Sequence, residues 1–218
     1  MKKIISLALA GVMALSLVAC GTEKPAETNA PETTPIETTL PMETTAPEAE
    51  TTVPETEAPA ASTGSLAVLE SVWNLYGEDE KFAVIGGNME SPVDGAPGNY
   101  DMAYAENLTW NLLVPADQLA NIDQAATMIH MMNANTFTCG VVHLTEGADA
   151  AAFAQAMRDA IQGNQWMCGF PETLVIAVVD GEYVLVTFGL NDAVLPFMNH
   201  FSEVYVDAEI LFNEAIAG

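Results

Sequence analysis

From residue 65 onward the spacing of apolar positions changes several times, and each change marks an expected element. Leu66, Leu69, Trp73 and Tyr76 recur at helical spacing, with Gly77 as a stop. Residues 81–88 are a short apolar run closed by glycines and read as a strand. Pro92, Gly95, Pro97 and Gly98 mark the next stretch as a loop. Residues 116–133 read as a helix, because Leu119, Ile122, Ala126, Ile129 and Met132 fall near one stripe.

The second half is patterned more sharply. Residues 136–144 are rich in β-formers and read as a strand. Phe153, Met157 and Ile161, four apart, give a helix over 148–162. Two β-rich runs, 173–179 and 182–190, flank Asp180-Gly181, a hairpin turn because the turn needs positive φ. Residues 191–201 read as a helix broken or kinked near Pro196, and Glu203 to Ile216 as a last helix. The expected fold class is α+β: a single domain with a mostly antiparallel sheet, built on a strand, helix and β-hairpin core and packed by helices.

The region before residue 65 has a different character. Lys2 and Lys3 precede an uncharged apolar run, Ile4 to Leu17, shorter than the roughly 20 residues that span a bilayer. Basic start, short apolar middle and small residues at the end describe an export signal. Leu17-Val18-Ala19-Cys20 resembles the bacterial lipobox. The resemblance implies cleavage before Cys20 and attachment of lipid to its sulfur and amine. Residues 21–64 then repeat Glu-Thr-Thr at Glu32, Glu37, Glu43 and Glu50 with prolines between, and hold no aromatic residue. Such a segment buries too little surface to offset its ordering entropy, so it reads as a semi-extended, disordered tether. The expected organisation is a lipoprotein signal peptide over 1–19, lipidated Cys20 and tether over 20–64, and a globular domain over 65–218.

Charge narrows the partners. All thirty acidic residues follow Cys20, against only Lys24, Lys81 and Arg158, so the chain beyond Cys20 carries −27. Of this, −19 belongs to residues 65–218. A chain so acidic is repelled by nucleic acid and anionic headgroups, which excludes a nucleic-acid partner.

The stretch from Ala116 to Phe201 resembles an uncharacterised family of small lipoproteins from anaerobic Gram-positive bacteria. Met132-Asn133, the run Gly169 to Ile176 and the run Val179 to Gly189 carry the likeness. It implies fold and location, at the extracytoplasmic face of a cell membrane, and carries over no activity and no functional residue.

The search for chemistry yields little. Beyond Cys20 lie Cys139 and Cys168, either bridged or, by expectation, buried as free thiols. No zinc spacing joins His130, His143 and His200 to them, and no metal or cofactor is expected. Met128 and Met132, one turn apart on the expected helix, suit copper in principle but read as core packing. His143 is expected as a hydrogen-bonded core residue on one strand face with Phe137, Cys139 and Val141. Hydrolase, phosphate-loop and calcium-loop motifs are absent from the sequence, so no catalytic residue is named. Trp166, Met167 and Phe170 form an aromatic cluster between helix and strand: an interaction patch if exposed, a cap on the core if buried, with burial expected. The leading functional expectation is a non-catalytic binding or accessory lipoprotein. It meets the membrane through the lipid on Cys20 and an unknown protein or cell-envelope ligand through its domain. The alternatives are an enzyme on a cell-wall or extracellular polymer, and a small solute-binding lipoprotein.

Overall fold

The computed structural model describes residues 64–132, 134–167 and 169–217. The signal segment, Cys20, the tether up to residue 63, Asn133 and Cys168 lie outside the described residues. The elements are α1 (Ser65–Trp73), β1 (Val84–Asn88), β2 (Ser91–Asp94), β3 (Gly98–Tyr100), α2 (Leu108–Asn111), β4 (Ile122–His130), β5 (Phe137–Leu144), α3 (Ala150–Gln162), β6 (Thr173–Val179), β7 (Tyr183–Gly189), α4 (Asn191–Val204) and β8 (Glu209–Ala215). Two 3₁₀ turns, Met102–Asn107 and Ala116–Asn121, flank α2.

The strands form one sheet in the order β2-β1-β4-β5-β7-β6-β8, with β3 also pairing β4, and every pairing is antiparallel. The fold is α+β, as expected. Helices cover both faces. One face buries Val68, Leu69 and Val72 of α1 and Phe197 and Phe201 of α4 against Phe137, Cys139 and Val141. The other buries Phe153, Met157 and Ile161 of α3 and Leu108 of α2 against Val142, Ile176 and Val186. Successive side chains on a strand point to opposite faces. A strand covered on both sides is therefore buried along nearly its whole length, which is the pattern of β6 and β7, apolar apart from Thr173 and Thr187. The β6–β7 turn places Asp180 at φ 53° and Gly181 at φ 79°, the left-handed region that Asp-Gly supplies. Asp149 caps α3, its carboxylate accepting from the N–H of Ala151 and Ala152.

Four expectations are corrected. Residues 122–130 form β4, not a helix. Ala126 and Met128 pack on one face, and Ala125 and Ile122 on the other. Pairing with β1, β3 and β5 outweighs the helix propensity of Ala, Gln and Met. The Pro/Gly stretch holds strands β2 and β3, because its glycines permit a close backbone approach: a Cβ on Gly98 would lie 2.6 Å from the Gly87 nitrogen. Residues 209–215 form edge strand β8, whose Leu211 and Phe212 pack on the α3 face. Finally, α4 runs through Pro196 as one helix to Val204.

Candidate functional site

Strand direction gathers several connections at one end of the sheet. β4 ends there at His130 and β5 begins at Phe137, so the 131–136 connection lies there. So do the α3–β6 connection over 163–172, the start of α4 after Gly189, and the approach to β1 beside Val84.

These connections enclose a furrow. Its central hollow, about 210 Å³, lies between Ile129, His130, Met132 and Thr136 on one side and Trp166 and Gly169 on the other. His130 also lines a neighbouring hollow of about 220 Å³ with Phe82, Asn135, Leu190 and Asp192. Phe82 and Asp192 continue into a third with Tyr76, Glu80, Pro196 and His200. On the other side Ile129 is shared with a hollow lined by Asn88, Met89, Pro92 and Asn111.

The floor is aromatic and rigid. The His130 ring stacks on Phe82, centroids 5.4 Å apart and 7° from parallel. Phe82 meets Phe137 edge-on at 5.2 Å, and Phe137 meets Phe197 at 5.7 Å. His130 Nδ1 accepts the backbone N–H of Met132 at 2.9 Å, which leaves the proton of the neutral ring on Nε2. Burial against this floor holds the His130 pKa below the usual histidine value, so the ring is neutral at neutral pH.

The rim is apolar and open. Met131 and Met132 are 56% and 57% exposed, Phe170 64% and Met167 91%. Trp166 is half-buried, its ring 5.6 Å from Phe188, and its Nε1–H is buried without an acceptor among the described residues. The Trp166–Phe170 stretch is thus divided: Trp166 caps the core, whereas Met167 and Phe170 face solvent, against the expectation of burial. Met132, read as a core residue, is exposed because its segment is a turn after a strand, while Met128 is buried. Met131, Met132, Phe82 and His130 were not singled out as a group. The signal available was the pair of methionines followed by Asn-Ala-Asn, a polar turn-forming run directly before the β-rich stretch at 136–144.

The opposite end of the sheet has other chemistry. His143 sits at the end of β5 with Nδ1 2.5 Å from an Asp123 carboxylate oxygen and Nε2 3.6 Å from Glu182. These three, with Glu146 and Gly181, line an open cleft of about 410 Å³. His143 is therefore a partly exposed residue held by carboxylates, not a core residue. The cleft thus offers an imidazole, carboxylates and the Thr145 side chain, with no serine or cysteine among its lining residues. Cys139 is a free thiol buried on β5, and burial pushes its pKa far up, which makes it inert. The chain enters the domain at this same end: the Ser65 N–H donates to Gln124 Oε1 at 2.6 Å, and Tyr183 is hydrogen-bonded to the Gly64 backbone.

Among the described residues no three His, Cys, Asp or Glu side chains are grouped to hold a metal ion, and no helix is long and apolar enough to cross a membrane. No family model matches the chain, and no curated protein or solved structure matches it significantly.

Proposed function

We propose that this chain is a lipid-anchored extracytoplasmic lipoprotein whose domain is a non-catalytic binding or accessory module, displayed at or through a Gram-positive cell wall. One observation carries the reading: a basic start, a short apolar run ending Leu17-Val18-Ala19-Cys20, and then a long Thr/Glu/Pro-rich tract. Lipid on Cys20 holds the chain at the membrane, since each buried methylene contributes about 0.8 kcal/mol. The tract, stretched by proline and by its nine glutamates, spaces the domain away from the bilayer. The layout of the domain supports this arrangement. The chain enters beside Gln124 and Tyr183, which leaves the furrow at the far end of the sheet free for a partner.

Fractionation with mass spectrometry tests the proposal. The parent chain is expected in the membrane fraction with an acylated N-terminal Cys20. Cys20→Ala is expected in the medium or retained unprocessed. A Cys20→Ala chain that stays processed and membrane-bound would sink the reading.

A further inference from the structure

We infer that the furrow is a docking surface for a basic, apolar-rich polypeptide segment of another protein; this rests on the reading of the domain as a binding module and names its partner class. Two observations lead there. The first is the rim. Met131, Met132, Met167 and Phe170 come from two separate connections at this end of the sheet and stay exposed, and Met132 lines the hollow that Trp166 and Gly169 border. Methionine is unbranched and polarisable, so a rim of this kind moulds itself to varied apolar side chains.

The second is charge. Glu80 and Asp192 line the furrow, and the exposed Glu172 sits beside it, its carboxylate accepting from the Asn191 N–H. The cations toward this end among the described residues are Lys81, held by Glu78 at 2.8 Å, and Arg158, held by Glu214 at 2.7 Å. An apolar strip bordered by unneutralised carboxylates is complementary to apolar side chains interspersed with lysine or arginine. The same carboxylates oppose insertion into anionic lipid. They also oppose a second copy of this chain, whose domain carries −19 as well.

Rim and charge thus call for one occupant that carries apolar and basic side chains together, as a polypeptide segment does.

The test uses the chain from residue 21 onward and short synthetic peptides that alternate leucine with lysine or leucine with glutamate. Calorimetry gives affinity and stoichiometry, and tryptophan fluorescence reports Trp166. The leucine–lysine peptide is expected to bind one to one and to weaken as salt rises. The triple variant Met132→Ser, Met167→Ser, Phe170→Ser keeps every charge and is expected to bind roughly tenfold more weakly or worse. Unchanged binding by that variant, equal binding of the leucine–glutamate peptide, or no saturable binding overturns the inference. So does concentration-dependent dimerisation, or binding to phosphatidylglycerol vesicles, that the triple variant abolishes. A normal Cys20→Ala fractionation failure alongside retained peptide binding would remove the address and leave the surface. Loss of peptide binding with correct acylation would do the reverse.

Discussion

The two ends of the sheet are built from the same strands yet present opposite chemistry. At one end β4 and β5 finish on a stacked aromatic floor with an exposed methionine rim. At the other, the same two strands finish on His143 between Asp123 and Glu182, beside the point where the chain enters. Histidine shows the contrast best. His130 lies stacked on Phe82, where partial burial holds its pKa below the ordinary value, whereas His143 is held by carboxylates in an open cleft. Environment, not residue type, sets what each imidazole does. An apolar surface that is left exposed needs support from beneath, and here the core supplies it.

The comparison can be broken most forcefully at the floor. Phe137→Ala removes a fully buried ring that joins Phe82 to Phe197, and it is expected to cost about 3–5 kcal/mol in denaturant unfolding. A loss under about 1 kcal/mol would show that the floor is not part of the core. At the opposite end His143→Ala should cost only about 0.2–1 kcal/mol, because its carboxylate partners are about half exposed. A loss of several kcal/mol would reverse the ranking of the two ends.

Acidification sharpens the contrast. The folded state holds the His130 pKa below the unfolded value near 6.5, so the unfolded chain binds more protons. The contribution of His130 is fully present above about pH 6.5 and is lost as pH falls below it toward the folded value. Imidazole NMR should show His130 titrating below the usual histidine range, and His130→Phe should flatten the melting-temperature profile between about pH 5 and 7. A His130 resonance that titrates at the ordinary value would refute the desolvated site. The smallest effect is expected at the rim: Met167→Ser should change stability by no more than about 0.5 kcal/mol, since its side chain is 91% exposed. A larger loss would mean that the rim is structural.

The parts of the fold legible in the sequence were those where local and tertiary preferences agree. The α3 stripe of Phe153, Met157 and Ile161, the β5 run and the Asp180-Gly181 hairpin each combine propensity, period and turn chemistry. β4 was illegible because Ala125, Ala126, Thr127 and Met128 are buried on both faces, which erases the two-residue alternation and leaves helix-forming residues in view. β8 is an edge strand whose register shifts opposite Ile176 and Ala177, so Leu211 and Phe212 do not alternate cleanly. The site shared this fate. Trp166, Met167 and Phe170 stood out as an apolar connection, but Met131 and Met132 were hidden by the helix reading of the segment before them. Nothing local announces that two connections thirty residues apart share one end of a sheet.

The placement of Gly64 has a mechanical consequence. If a partner is held at the furrow while the tether is anchored, tension crosses the domain along its strands. Antiparallel ladder bonds lie perpendicular to the strands, so such a pull shears many of them together instead of opening them one by one. α1 starts beside Gln124 and packs along the same sheet, so it is loaded in shear too. Pulling between residues 64 and 167 should therefore require more force than pulling apart β2 and β8, the two outer strands, across the sheet. Equal forces in the two geometries would show that the domain is not oriented to bear load. On this layout the domain would resist force most in the direction that runs from Gly64 to the furrow.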